Sequence, residues 1–139
     1  MTCTYYIDTS LECVFSRHIG DFVPGEAADM ILSLFDDPAY KKGYNILRDS
    51  SRVELPEEHS FKFFKEAGRQ QQDRIAGRLG DCRIAWVVGS AKDYAKAHQW
   101  ALTRRLSTNI SRQAFRDIKK ARAWLDIPND YEIKYPTPK

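Results

Sequence analysis

The sequence predicts an α/β fold: an N-terminal β-hairpin, then alternating helices and strands, forming a mixed five-stranded sheet with helices packed on it. Three observations carry this expectation. Two β-rich runs at the start flank the turn formers Asp8-Thr9-Ser10. Apolar residues then recur at helical spacing between short apolar runs. Finally, Ile84-Ala85-Trp86-Val87-Val88 does not alternate with polar residues, as expected of a central strand covered on both faces.

The hairpin is predicted from Thr4–Ile7 and Leu11–Ile19, closed by Gly20. Pro24 and Glu26 suit the first turn of a helix whose stripe is Ala27, Met30, Ile31, Leu34 and Phe35, and Asp36-Asp37-Pro38 ends it. Tyr44 to Leu47 form the next strand, which is predicted to emerge into a polar loop at Arg48-Asp49-Ser50-Ser51-Arg52. Pro56-Glu57-Glu58 starts a second helix that carries Phe61, Phe64, Ile75 and Leu79 at helical spacing. After the strand Cys82–Val88, Ser90-Ala91-Lys92-Asp93 resembles a capping box and opens a third helix. Its inward stripe is predicted as Tyr94, Ala97, Ala101 and Leu102, with Trp100 projecting away as an exposed contact or dimer residue. Ile110–Phe115 read as the fifth strand and Asp117–Leu125 as the last helix. The domain is therefore placed at residues 1–126, followed by a Pro-containing, extended tail over 127–139 that is expected to be mobile, with the alternating Tyr131–Tyr135 as an alternative edge strand or partner contact.

With 139 residues and 42% hydrophobic content, the chain suits one domain with one core. No apolar run is long enough to span a bilayer, and Met1-Thr2-Cys3-Thr4-Tyr5 lacks the basic start of a signal peptide, so a cytoplasmic location is expected. Cys3, Cys13 and Cys82 are odd in number and widely spaced, which favours reduced thiols in strands over a disulfide framework or a zinc knuckle. His18, His59 and His98 have no metal-ligand spacing, and no nucleotide-binding glycine motif occurs, so neither metal nor cofactor is expected. Charge is segregated. The acids before Lys41 face Arg17 alone, while Lys96, Arg104, Arg105, Arg112, Arg116, Lys119, Lys120 and Arg122 face Asp117 alone. This pattern suits an anionic partner, or complementary contact within the fold or between subunits. Nucleic acid is disfavoured because Phe115 and Trp124 are committed to packing.

Asp37-Pro38-Ala39-Tyr40, Ile46-Leu47-Arg48-Asp49, Ile84–Val88 and Phe115–Leu125 together resemble the SpoIIAA-like, or STAS-like, family of small bacterial proteins. That family is related in shape to the CRAL-TRIO lipid-transfer domains. The resemblance spans roughly Tyr5 to Leu125 and implies the fold named above. STAS-fold anti-sigma factor antagonists carry an Asp-Ser-Ser-Gly motif whose first serine is phosphorylated. Asp49-Ser50-Ser51 is similar to it, which implies a phosphoacceptor role for Ser50, although Arg52 stands where the family has Gly. Arg48 and Arg52 could pair a phosphate there.

Parallel strands would set the ends of the third and fourth side by side. Asp49, Ser51, Gly89 and Ser90 would then rim one strand-end site with Arg48 and Arg52. His98, Trp100 and Arg105 are the candidate ligand or partner contacts on the third helix. No catalytic constellation is legible. The expected role is thus a non-enzymatic, STAS-like binding or regulatory module acting through contacts with a protein partner or a second copy, switched at Asp49-Ser50-Ser51. The alternative is a carrier of a small apolar or lipid-like ligand in a groove under the helices.

Overall fold

The computed structural model describes residues 2–21, 26–57, 77–103 and 110–136. Five strands form one sheet: β1 (Thr2–Asp8), β2 (Cys13–Ile19), β3 (Asn45–Arg52), β4 (Arg83–Val88) and β5 (Ser111–Phe115). The described helices are α1 (Glu26–Leu34), the short turn α2 (Gly77–Leu79), α3 (Ala91–Thr103) and α4 (Ile118–Trp124). The helix expected from Pro56 lies outside the described residues except for α2, and so do Phe61, Phe64, Ile75 and Arg105. No helix among the described residues is long and apolar enough to cross a membrane.

The hairpin turns where the sequence places it. Asp8 Oδ1 accepts from the backbone N–H groups of Ser10 and Leu11 at 3.0 and 3.1 Å, fixing the turn before the antiparallel pairing of β1 with β2. The remaining pairs, β2 with β3, β3 with β4 and β4 with β5, are parallel. The spatial order is the sequence order, β1-β2-β3-β4-β5. In such a sheet, right-handed crossovers place every connecting helix on the same face. Accordingly α1 and α3 share one core with Val14, Ile46, Ile84, Trp86 and Val88, through Met30, Leu34, Ala97, Trp100 and Ala101.

The opposite face must be covered by something after β5. It is covered by α4, capped by the Asp117 carboxylate on the Lys119 N–H at 2.8 Å, and then by residues 127–136. Cys13, Phe15, Leu47, Ala85, Val87 and Phe115 pack there against Ala121, Leu125 and Ile127, with Tyr131, Ile133 and Tyr135 partly buried on top. Tyr131 stacks on Phe15 at 5.4 Å and its hydroxyl lies 3.0 Å from that of Tyr6. Arg122 donates to the carbonyls of Pro128 and Tyr131, holding the segment back on α4. The segment is extended, as expected. Its packing corrects the expectation of a mobile tail beyond residue 126: the alternating Tyr131, Ile133 and Tyr135 turn one side to the sheet.

Two further expectations change. Trp100 is only 6% exposed and meets Trp86 edge-on at 5.0 Å, so it is core and not a surface contact. The buried stripe of α3 is Asp93, Ala97, Trp100 and Ala101, which leaves Tyr94 and Leu102 outside at 38% and 43% exposure. β3 also runs on to Arg52, paired with β4 as far as Ser50 and with β2 at Arg52. The polar run is therefore strand, and not the loop read from the sequence.

Candidate functional site

Because β3 continues through the polar run, the pleat divides it between the two faces of the sheet. Arg48 and Ser50 point into the face under α1 and α3. Asp49 and Ser51 point the other way. Ser50 is 3% exposed, and its Oγ accepts the indole N–H of Trp86 at 3.0 Å. The serine to which the family resemblance assigns a phosphate thus lies buried in a hydrogen bond. Ser51 is exposed, and its hydroxyl and backbone N–H both donate to Asp49 Oδ1, at 2.6 and 3.0 Å. Arg52 is exposed at the strand end.

The ends of β3 and β4 do come together. A Cβ on Gly89 would stand 2.3 Å from the Ser51 carbonyl oxygen, so only glycine allows this approach. Ser90 caps α3, its Oγ accepting from the Asp93 N–H at 3.1 Å. Buried Asp93 does not complete the reciprocal box. Its Oδ2 accepts from the Leu55 N–H at 3.2 Å and ties the chain after β3 to α3. Lys96 reinforces that tie by donating to the carbonyls of Leu55 and Pro56. Ser51, Gly89 and Ser90 consequently form a surface rim, while Arg48 and Ser50 belong to a different, buried site.

That buried site groups residues from four strands and a helix. Arg48 is 9% exposed, and its guanidinium carbon lies 4.3 Å over the Trp86 ring and 5.8 Å from that of Trp100. Its Nε has no hydrogen-bond partner, and no described carboxylate lies within ion-pair distance of it. His18, on β2, is 1% exposed with Nδ1 unpartnered, while its Nε2 lies 3.9 Å from Cys3 Sγ on β1. Burial and the nearby Arg48 charge push the imidazole down to about 3, so it is neutral at physiological pH. Burial raises the Cys3 thiol to about 11. It lowers Arg48 to about 10, which still leaves a full positive charge at neutral pH. Burial likewise raises Cys13 and Cys82 to about 12 and about 11, so none of the three thiols is an activated nucleophile.

A third feature is an open groove of about 420 Å³ between α3 and the edge strand β5. Tyr94, His98, Ala101 and Leu102 line it from the helix, Arg112 and Gln113 from the strand, and Trp124 from α4. His98, one of the candidate contact residues, is exposed and stacks on Tyr94 at 6.1 Å. No group of three or more His, Cys, Asp or Glu among the described residues could hold a metal ion. No family model, curated protein or solved structure matches this chain.

Sequence reasoning treated His18 as isolated and Arg48 as a flanking charge. The signal that links them is parity. Ser16 and His18 follow Val14, and Arg48 and Ser50 follow Ile46, at alternate positions that share one face of the sheet with these core residues.

Proposed function

We propose that this chain is a non-enzymatic, STAS-like binding module that acts through protein contacts at the groove between α3 and β5. One observation carries the reading: Tyr94 and Leu102, the large apolar side chains that stand exposed among the described residues, both line that groove. Arg112 adds positive charge to the lining, and Arg116, Lys119 and Lys120 follow exposed along the chain. The fitting partner is a protein surface with an apolar anchor among carboxylates.

A photo-crosslinking residue at position 102, compared with one at exposed position 54, tests this in cells that naturally make the protein. A discrete adduct from position 102 that disappears with Tyr94→Ala supports the groove. The same adducts from both positions remove it, and an adduct with a second copy replaces the separate partner with a homodimer. The regulatory part of the reading, a phosphate on Ser50, requires the buried strand end to open and Trp86 to give up its hydrogen bond. Peptide mapping of protein from the same cells separates the two hydroxyls. Phosphate on Ser51 alone moves the switch by one residue, and phosphate on neither discards it.

A further inference from the structure

We propose that the Arg48–His18 cluster under α1 and α3 binds the oxyanion group, carboxylate or phosphate, of a small molecule. This site is independent of the groove between α3 and β5. It rests first on a charge without a counter-ion. Arg48 is buried, its Nε is unpartnered and no described carboxylate pairs with it. A lysine so placed could shed its proton, whereas a guanidinium stays charged. The rings of Trp86 and Trp100 offer cation–π attraction, which offsets only part of the cost of taking an unpaired charge out of water. A bidentate oxyanion is the partner that the fork geometry of arginine fits.

Position and neighbours agree. The cluster lies toward the carboxyl ends of parallel β2, β3 and β4, where open α/β sheets bind ligands. Neutral His18 supplies a second unpartnered nitrogen, its ring Nδ1, on the same face. Of the other groups that face the site, Ser50 already accepts from Trp86, and Cys3 offers a protonated thiol. Glu26, at the start of α1, is felt electrostatically by Cys3 but forms no ion pair with Arg48.

The test is a tryptophan-fluorescence titration of the full chain in low-salt HEPES buffer with inorganic phosphate, acetate and decanoate. Trp86 and Trp100 lie against the guanidinium and should report its occupation. A saturable response to at least one probe is expected, with half-saturation at least about 10-fold weaker in Arg48→Met and clearly weaker in His18→Gln. Saturation by phosphate but not by the carboxylates identifies a phosphorylated ligand. Decanoate far tighter than acetate identifies an amphiphile, with its acidic head at Arg48 and its chain under the helices. Arg48→Lys, folded by circular dichroism, serves where Arg48→Met does not fold. It keeps the charge, loses the fork and should also bind more weakly. No saturable response in the wild type overturns the proposal, as does a response unchanged in the Arg48 variants.

Discussion

Arg17 and Arg48 occupy neighbouring strands, each lies over an aromatic ring, and each has an unpartnered Nε, yet they sit on opposite faces of the sheet. Arg17 lies 4.6 Å over Tyr135, is half-buried, and has Asp49 as its partner in the register of β2 and β3. Arg48 lies 4.3 Å over Trp86, is only 9% exposed, and has no carboxylate within ion-pair distance among the described residues. The first is a half-buried cation at the margin of a core, with an acid opposite it on the neighbouring strand. The second is a cation inside one. The difference shows that an aromatic ring under an arginine does not by itself account for the arginine's burial. It is the missing counter-charge that marks the Arg48 face as a place for an anion.

The sharpest way to break the contrast between the faces is to strip one of them. Ending the chain at Asp126 removes the cover supplied by Ile127, Tyr131, Ile133 and Tyr135 from the face that holds Phe15. Urea unfolding should show a loss on the order of 5 kcal/mol or more, a large part of a small domain's stability. A truncated chain as stable as the full one would show that residues 127–136 are not part of the core.

Acid probes the other face. His18 is neutral when folded, with its imidazole pushed down to about 3 from its ordinary value of 6.5. Between those values the unfolded chain binds more protons, so this contribution is whole above pH 6.5 and falls as pH drops toward 3. Stability should fall by on the order of 2 kcal/mol between about pH 7 and pH 5, and His18→Gln should flatten that slope. An unchanged slope in the variant would remove His18 as its cause.

A smaller effect is expected at the junction of β3 and β4. Gly89→Ala places a Cβ against the Ser51 carbonyl, which is backbone and cannot rotate away. A cost of about 1–3 kcal/mol should follow as the strand ends part. Arg17→Met gives the smallest change, within about 1 kcal/mol, because its charge is already shared with solvent.

Most of the fold was legible in the sequence because local chemistry specifies it. Asp8 writes the hairpin turn, the unbroken run at Ile84–Val88 writes a central strand, and Asp117 writes the cap of α4. The alternation from Tyr131 to Tyr135 was legible, but its place as the cover of one sheet face was not. The need for it arises from topology, since a sequential parallel order leaves one face without connecting helices. Trp100 was misplaced by one position on its helical stripe, because the space over Trp86 draws in the largest side chain available. The candidate site was only half legible. Asp49, Ser51 and Gly89 do meet at the strand ends, but pairing with β2 and β4 keeps the run in strand conformation and sends Arg48 and Ser50 to the other face.

The most direct test compares unfolding of wild type and Arg48→Met in low-salt HEPES, with and without a saturating concentration of whichever probe the titration identifies. If Arg48 awaits an anion, Arg48→Met is at least as stable as wild type without the probe, since an apolar side chain replaces an unpaired buried charge. Adding the probe then stabilises wild type alone. A variant less stable than wild type by about 3 kcal/mol without the probe, and no less responsive to it, would show that Arg48 is satisfied by the protein itself.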